Sequence, residues 1–260
     1  MMSKQQDVMI AVDGLEKTFT LHLRDGLVLP VLATIAVWFF ATGLIAWAAN
    51  APRESYGRSL IWAGVVGAGG MLCVIASARI AGVGGAYLGF AGAMAVWGWH
   101  EFAFLTGGVT GPRREPCPEG AQGIVRFAKA SAAVLHHEIA LAATAAILIA
   151  LCWGQPNPIG AQVFVLLFAL RLVAKLNLFA GVPNASTDIL PRHLAYLTSY
   201  FGPNRFTALL ALSIAGTLGV SPASFLPCTT LRPTPSEIFI QLRPTKANAF
   251  KSSYIAVWVL

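Results

Sequence analysis

Six long apolar runs constrain what this chain can fold into more than any other feature of its sequence. The first five come close to, or exceed, the roughly 20 residues that a helix needs to cross a hydrocarbon core of about 30 Å. The sixth is shorter and reaches that length only if it continues to Leu226. The sequence therefore predicts an all-α fold, a polytopic transmembrane bundle of about six helices, with the apolar runs at 27–49, 59–77, 80–105, 131–153, 159–179 and 206–220.

The charge content agrees with a chain whose solvent is the lipid bilayer. Charged residues make up 11% of the sequence, against about 25% in soluble domains, and the mean hydropathy is +0.67. The net charge of +7 does not indicate nucleic acid as a partner, because the Lys and Arg residues are scattered through short loops without interleaved aromatic residues. The four cysteines are far apart and include no CxxC pair, so neither a metal site nor a disulfide framework is predicted.

Two polar segments flank the predicted bundle, which occupies residues 27–226. Residues 1–26 carry scattered charges and lack the apolar stretch of a cleavable signal peptide, so we expect the first membrane helix to act as its own insertion signal. Residues 227–260 are interrupted by prolines and contain no span of about 20 apolar residues. We predict that the chain is atypical of the fold from about Ser221 onward, including this polar tail. A shifted reading frame is the interpretation we favour, and a genuine polar tail is the alternative.

Basic residues in the connecting loops predict the orientation of the bundle. Lys and Arg accumulate on the cytoplasmic side of short loops. The loops after the first, third and fifth runs carry most of them, whereas the loops after the second and fourth runs contain only Arg79. We therefore expect the odd-numbered loops to lie in the cytoplasm and the N-terminus to lie outside.

Glycine-rich motifs in the second and third runs predict close helix packing. Gly64-xx-Gly67 and Gly85-xxx-Gly89 place small residues at helical spacing, which lets helix backbones approach each other in lipid. Dimerisation and packing within one chain are both compatible with the pattern, and we favour packing within the chain.

Three groups of polar and ionisable residues, at positions 100–101, 136–138 and 171–177, lie at a similar depth when the runs are placed across a membrane. They lie about five residues inside the boundaries of their runs, or roughly 8 Å below the interface. Ionisable groups at such a depth are costly and normally face the bundle interior in partnership. The sequence thus predicts an intramembrane polar layer formed by His100, Glu101, His136, His137, Glu138, Arg171, Lys175 and Asn177.

Four interpretations of this layer are open. The two glutamates could pair with Arg171 and Lys175 and fix the helix register without any chemistry. A histidine could bind a tetrapyrrole or another ligand, since neutral imidazole is a common ligand. A carboxylate–histidine metal centre fits less well, because the His and Glu residues are adjacent and adjacent helix positions point about 100° apart. The fourth is a transporter's substrate site. Arg171 and Lys175 are four residues apart and share a face, so they could hold a propionate, a phosphate or an acidic partner. His22 and His193 are expected at the surface.

Several short motifs follow one another in order between about Leu27 and Phe201. They are Trp97-Gly98-Trp99-His100-Glu101, Thr110 to Arg114 followed by Pro116-Cys117-Pro118, His136-His137-Glu138, Trp153 to Asn157, Lys175 to Phe179 followed by Gly181 to Asn184, and His193 to Leu197. Together and in this order they resemble the PuhE-type photosynthetic complex assembly proteins of purple phototrophic bacteria.

The resemblance implies a multi-pass protein of the bacterial inner membrane that is not an enzyme. It implies a role in the assembly of the photosynthetic reaction centre and its light-harvesting complex, whose subunits would be partners alongside the lipid bilayer. It also implies an effect on the supply of bacteriochlorophyll, so this pigment or a precursor is a candidate ligand. Two alternatives from other classes stay open: a membrane-bound metal-dependent enzyme of pigment or lipid metabolism, and a small-molecule transporter.

Overall fold

The computed structural model describes residues 28–183, 185 and 190–219. Every regular element in this part of the chain is helical. The predicted polar segment 1–26, the tail 227–260 and the extension of the last run to Leu226 lie outside the described residues. The α-helices are α1 (Val28–Ala49), α2 (Tyr56–Ala78), α3 (Val83–Leu105), α4 (Gly123–Cys152), α5 (Ile159–Ala180) and α6 (Ala208–Gly219), and two 3-10 helices, Arg53–Ser55 and Arg192–Tyr200, lie in the connections.

Four of these helices are long and apolar enough to cross a membrane: α1, α2 with the 3-10 turn before it, α4 and α5. Helix α3 has 23 residues, but its glycines, its tryptophans and the adjacent His100 and Glu101 lower its mean hydropathy. Helix α6 has 12 described residues, whereas a bilayer span takes about 20. The prediction of an all-α membrane bundle is confirmed, while the predicted count of six membrane helices is not.

Large apolar side chains cover the outside of the bundle. Phe39 and Phe40 of α1 and Trp62 of α2 are each 70% exposed. In water, an apolar exterior of this extent would be an aggregation surface, whereas lipid tails solvate it. The outer faces of the helices therefore agree with the composition in making lipid the solvent of this chain.

Helices α2 and α3 pack closely because glycines face each other across their interface. A Cβ atom added to Gly70 would lie 2.6 Å from the carbonyl oxygen of Gly92, and one added to Gly92 would lie 2.6 Å from the carbonyl oxygen of Gly70. The two backbones therefore touch with no side chain between them, as small residues allow between membrane helices.

The glycines of the two sequence motifs also pack against other helices of the same chain. Gly67 packs against Trp99 of α3, and Gly89 packs against Gly160 at the start of α5, whose backbone nitrogen would lie 3.1 Å from an added Cβ. Packing within the chain, the favoured interpretation, is what the structure shows for these glycines.

Two apolar clusters fill the interior, one toward each end of the bundle. The first lies between α2, α3, α4 and α5, where Val74, Leu141, Leu148 and Phe164 are all 0% exposed. The second lies near the α3–α4 loop and includes Phe104, which packs with residues of the 3-10 helix Arg192–Tyr200. The ionisable residues of α3, α4 and α5 come between these two clusters, so the polar layer is enclosed by apolar packing on both sides.

Asn157 closes the end of the bundle where the α2–α3 turn meets the α4–α5 link. Its side-chain amide donates hydrogen bonds to the carbonyl oxygens of Ser77 at 3.0 Å and Ile80 at 3.2 Å. Its backbone N–H donates to the carbonyl oxygen of Ala78 at 3.1 Å. A single asparagine thus ties two helical hairpins together.

The other three connections meet at the opposite end. Arg113 of the α3–α4 loop donates from Nε to the hydroxyl of Tyr200 at 2.7 Å, which raises the pKa of Arg113. Tyr56, at the start of α2, lies beside His193 with ring centroids 6.1 Å apart. The three loops predicted to share one side therefore do so, and the assignment of that side to the cytoplasm stays a prediction.

Candidate functional site: an intramembrane ion-pair layer

Two ion pairs connect α3, α4 and α5 inside the bundle, toward the end where the α3–α4 loop lies. Arg171 Nη1 of α5 lies 2.5 Å from Glu101 Oε2 of α3, and Lys175 Nζ of α5 pairs with Glu138 Oε1 of α4. The side chains of Arg171 and Glu101 are 4% and 7% exposed. The structure thus brings the predicted glutamates and cations together, and two carboxylates balance two cations. We call these four residues the ion-pair layer.

The ring of Phe104 lies beside both cations of the ion-pair layer. Its centroid is 5.3 Å from Arg171 Cζ and 5.2 Å from Lys175 Nζ. A cation within about 6 Å of a ring centroid is attracted by the ring quadrupole. The aromatic ring therefore gives the two cations a second partner in the interior of the bundle.

His100 and His137 are buried next to the ion pairs in the interior of the bundle. His100 Nε2 lies 2.9 Å from Thr144 Oγ1 of α4, which makes a hydrogen bond between α3 and α4. His137 is 0% exposed, and its Nε2 lies 3.9 Å from Glu101 Oε1. Neither ring nitrogen of His137 forms a hydrogen bond with the described residues. Both imidazoles belong to the interior packing of the layer.

His136 and Asn177 depart from the predicted layer. His136 is exposed on the outer side of α4, because adjacent helix positions point about 100° apart and the inward position belongs to His137. Asn177 is buried, but its Nδ2 donates to Ser213 Oγ of α6 at 2.8 Å and to the carbonyl oxygen of Val173 at 3.0 Å. The structure therefore places His136 outside the predicted layer, and Asn177 links α5 to α6.

The rings of the two buried histidines, His100 and His137, are packed against aromatic side chains. His100 packs against Phe164 with ring centroids 6.0 Å apart, and His137 packs against Phe104 at 4.7 Å. A macrocycle would have to displace these aromatic rings to reach either imidazole. Within the described residues, no three His, Cys, Asp or Glu side chains come together in an arrangement that could hold a metal ion.

A groove opens beside the ion-pair layer on the outer surface of α4 and α5. Its volume is about 320 Å³ and its walls are almost entirely apolar. Glu138, Lys175 and Arg171 contribute its charged groups, and Tyr200 of the second 3-10 helix lines it on the side of the loops. Ligand pockets typically measure about 300–1,000 Å³, so this space is large enough to hold part of a ligand or a side-chain cluster. We call it the α4–α5 groove.

Glu138 gives the α4–α5 groove an unused hydrogen-bond acceptor. Its Oε1 pairs with Lys175, while its Oε2 is buried and accepts no hydrogen bond from the described residues. A buried acceptor without a partner costs about 1–3 kcal/mol. A hydrogen-bond donor entering the groove would therefore find a favourable partner there.

Arg126 holds the closing 3-10 helix in place, a role that sequence reasoning missed. Its Nη2 donates to the carbonyl oxygen of Tyr200 at 2.7 Å and to that of Phe179 at 3.3 Å. Its guanidinium carbon lies 4.3 Å from the centroid of the Phe179 ring. The sequence indicates Arg126 only as one of the loop charges, because nothing in its neighbours signals these distant carbonyl partners.

The loop motif that begins at Thr110 docks against α4 beside the ion-pair layer. The carbonyl oxygen of Thr110 accepts a hydrogen bond from the backbone N–H of His137 at 2.9 Å. At Gly111, an added Cβ would lie 2.1 Å from the carbonyl oxygen of Ala132. Only glycine permits this approach, so Gly111 couples the loop to the level of the buried histidines.

The fold and the site define a multi-helix membrane protein with a charge-balanced interior and an apolar groove open to lipid. The chain belongs to the family described as a protein of unknown function, DUF3623, which matches residues 25–230. The match therefore continues past Val220, where the last apolar run ends.

A named relative places this family in a genetic context. The chain is 40% identical over 190 residues to a Rhodobacter capsulatus protein described as an uncharacterized 30.4 kDa protein in the puhA 5' region. The aligned part covers 72% of this chain and 69% of the relative. No solved structure matches the chain. The resemblance drawn from the motifs is thus confirmed as far as a shared family with a puhA-region protein.

Proposed function

We propose that this protein is a non-enzymatic assembly factor of the bacterial inner membrane that acts on the photosynthetic reaction centre and light-harvesting complex. The motifs resemble PuhE-type assembly proteins, and the relative in Rhodobacter capsulatus is named for the 5' region of puhA. The shared puh designation connects these two observations. Both support a role in building a photosynthetic complex.

The α4–α5 groove is the structural observation that carries the proposal. It lies on the side of the bundle, so a client in lipid can enter and leave laterally. Its walls are apolar and it offers one buried acceptor on Glu138. The charges around it are balanced by one another, which suits a surface that holds a client better than one that presents a reactive group.

A transmembrane helix of a reaction-centre or light-harvesting subunit is the client we favour. Such a helix would lie against α4 and α5, bury the apolar wall around Leu135 and Leu176, and donate one hydrogen bond to Glu138. In lipid, helix association depends on packing and on interhelical hydrogen bonds. The groove supplies both kinds of contact.

Bacteriochlorophyll or a precursor is the other client that the resemblance implies. Its apolar tail would suit the groove walls, but the described residues that line the groove include no histidine to ligate the central metal. This is why a subunit helix ranks first. An absorption spectrum of the purified protein distinguishes the two clients, and metal analysis of the same sample tests the metal-dependent enzyme.

Filling the groove tests the proposal. Leu135 lines the groove and is 42% exposed, whereas Ile139 lies one helical turn further along α4, is 57% exposed and does not line the groove. We expect Leu135→Trp to lower the amount of assembled reaction-centre complex several-fold in a phototrophic host. The matched control Ile139→Trp should leave it unchanged. Immunoblotting of membranes should show wild-type amounts of both variants.

Two outcomes would contradict different parts of the proposal. If deletion of the gene leaves the level of assembled complex unchanged, the proposed function is wrong. If deletion lowers that level and Leu135→Trp behaves as the wild type, the function stands and the groove is not the client site.

A further inference from the structure

A second cavity lies at the loop end of the bundle, apart from the α4–α5 groove. Its volume is about 410 Å³. Residues of three connections line it: the 3-10 turn before α2, the α3–α4 loop and the 3-10 helix Arg192–Tyr200. We call it the loop-side pocket. It is independent of the client site proposed above.

Two arginines give the loop-side pocket an excess of positive charge. Arg53 and Arg114 line it from different connections, and no described Asp or Glu residue lines it. Among the described residues, no carboxylate lies within 4.0 Å of either guanidinium. The neighbouring Arg113, in contrast, lies 3.1 Å from Glu115. The pocket arginines are therefore available to an anion.

Three buried polar atoms in the same pocket lack well-formed hydrogen bonds. They are Thr110 Oγ1, the hydroxyl oxygen of Tyr196 and His193 Nε2; the two hydroxyls interact with each other without the geometry of a full hydrogen bond. Thr110 is 1% exposed. Buried polar groups are normally hydrogen-bonded, so this cluster is suited to a ligand that supplies several acceptors.

At neutral pH Tyr196 remains a hydrogen-bond donor to the pocket, whereas His193 has no free N–H. Burial, and then the Arg53 charge, lower the pKa of His193. Burial raises the pKa of Tyr196, and the hydrogen-bonding contact with the Thr110 side chain and the charge of Arg114 partly offset that rise. Tyr196 therefore keeps its proton, and the N–H of the neutral His193 ring is directed to the backbone of Leu105.

We propose that the loop-side pocket binds a phosphate group, with Arg53 and Arg114 as its charged partners and the hydroxyl groups of Thr110 and Tyr196 as further donors. These four side chains come from three connections. A tetrahedral phosphate can satisfy them with several oxygens, whereas a planar carboxylate has only two. Guanidinium forks are well matched to phosphate oxygens.

The phosphate can come from either of two sources. The pocket lies at the end of the membrane helices, where the headgroup of an anionic phospholipid would reach it. Its volume also leaves room for a soluble phosphate ester. The chemistry recognised is the same, and an experiment can separate the sources.

The test uses the purified full-length protein in a sugar-based detergent that contains no phosphate. One series adds inorganic phosphate at constant ionic strength, with chloride as the control. A second series adds phosphatidylglycerol, with diacylglycerol as the control. A ligand that binds the native state raises its unfolding temperature, which tryptophan fluorescence records.

Arginine variants connect the response to the pocket. Arg53→Gln and Arg114→Gln should each weaken the apparent affinity about tenfold, the loss expected for one charged hydrogen-bonded contact. Arg79→Gln is the matched control, because Arg79 is also exposed and lies at the opposite end of the bundle. Thr110→Val should weaken binding without removing a charge.

The outcomes divide clearly. A response to phosphatidylglycerol alone supports a lipid headgroup, a response to inorganic phosphate alone supports a soluble ligand, and a response to both supports the shared chemistry. The proposal is overturned if neither addition raises the unfolding temperature beyond its control. It is also overturned if both arginine variants respond as the wild type does.

Discussion

The ion-pair layer holds two carboxylates against two cations, whereas the lining of the loop-side pocket holds two arginines and no described carboxylate. The first lies between apolar clusters inside the bundle, and the second lies where the loops meet. An uncompensated charge costs a few kcal/mol at the centre of a bilayer but much less near water and lipid headgroups. Charges inside the membrane are therefore balanced by the chain itself, whereas the two arginines of the loop-side pocket are left for the proposed ligand.

Glu101→Gln should have the largest effect, because it breaks the balance at the most buried pair. Removing one partner of a buried ion pair typically costs about 3–5 kcal/mol, and here it would leave Arg171 without its carboxylate. We expect a large fall in the free energy of unfolding, measured by denaturation in mixed micelles. Glu54→Gln removes an exposed carboxylate and should change little. If both variants lose an equally small free energy of unfolding, Glu101 does not compensate the charge of Arg171.

Gly111→Ala should lower stability by an intermediate amount and should affect both the loop side and the ion-pair layer. The new Cβ would lie 2.1 Å from the carbonyl oxygen of Ala132, and overpacking of this kind costs about 1–3 kcal/mol. The loop would have to move and weaken the bond from His137 N–H to Thr110, so hydrogen exchange at His137 should accelerate. Gly108→Ala is the control, since its nearest neighbour would be 3.4 Å away. An unchanged exchange rate in the Gly111 variant would contradict the coupling of the loop to α4.

Protonation of His193 should have the smallest effect, and it should be confined to the loop side. The pKa of His193 is lowered in the folded protein from an ordinary value of about 6.5. The unfolded chain therefore binds more protons just below that value, and stability rises with pH across this window. This contribution is present above about pH 6.5 and is lost as the pH falls through the lower folded pKa. His193→Gln should flatten the pH dependence of the unfolding temperature between pH 7 and 5. An identical profile in the variant would remove His193 from this role.

Much of the ion-pair layer could be predicted, because the position of a residue along a membrane helix gives its depth in the bilayer. Residues that share a depth and carry opposite charges have few other ways to be satisfied. Depth alone did not decide between His136 and His137, since it says nothing about rotation around the helix axis. The spacing of seven residues from His137 to Thr144 is two helical turns, and this signal could have identified Thr144 as an inward polar residue.

The contacts that organise the loops could not be predicted in the same way. Asn157 and Arg126 act through backbone carbonyl groups on distant helices, and a carbonyl acceptor is present at every residue. The sequence therefore contains no pattern that identifies these partners. The same holds for the loop-side pocket, which exists only because three separate connections meet. Its residues are ordinary loop residues until the fold brings them together.

A double-mutant cycle on Glu138 and Lys175 tests the central claim, that the charges of the ion-pair layer compensate one another. The free energy of unfolding is measured in mixed micelles for the wild type, Glu138→Gln, Lys175→Met and the double variant. Each single change leaves one charge without its partner, so we expect the double variant to be more stable than either single variant. If the losses in the two single variants simply add in the double variant, the two side chains do not compensate each other and the account of the ion-pair layer is wrong.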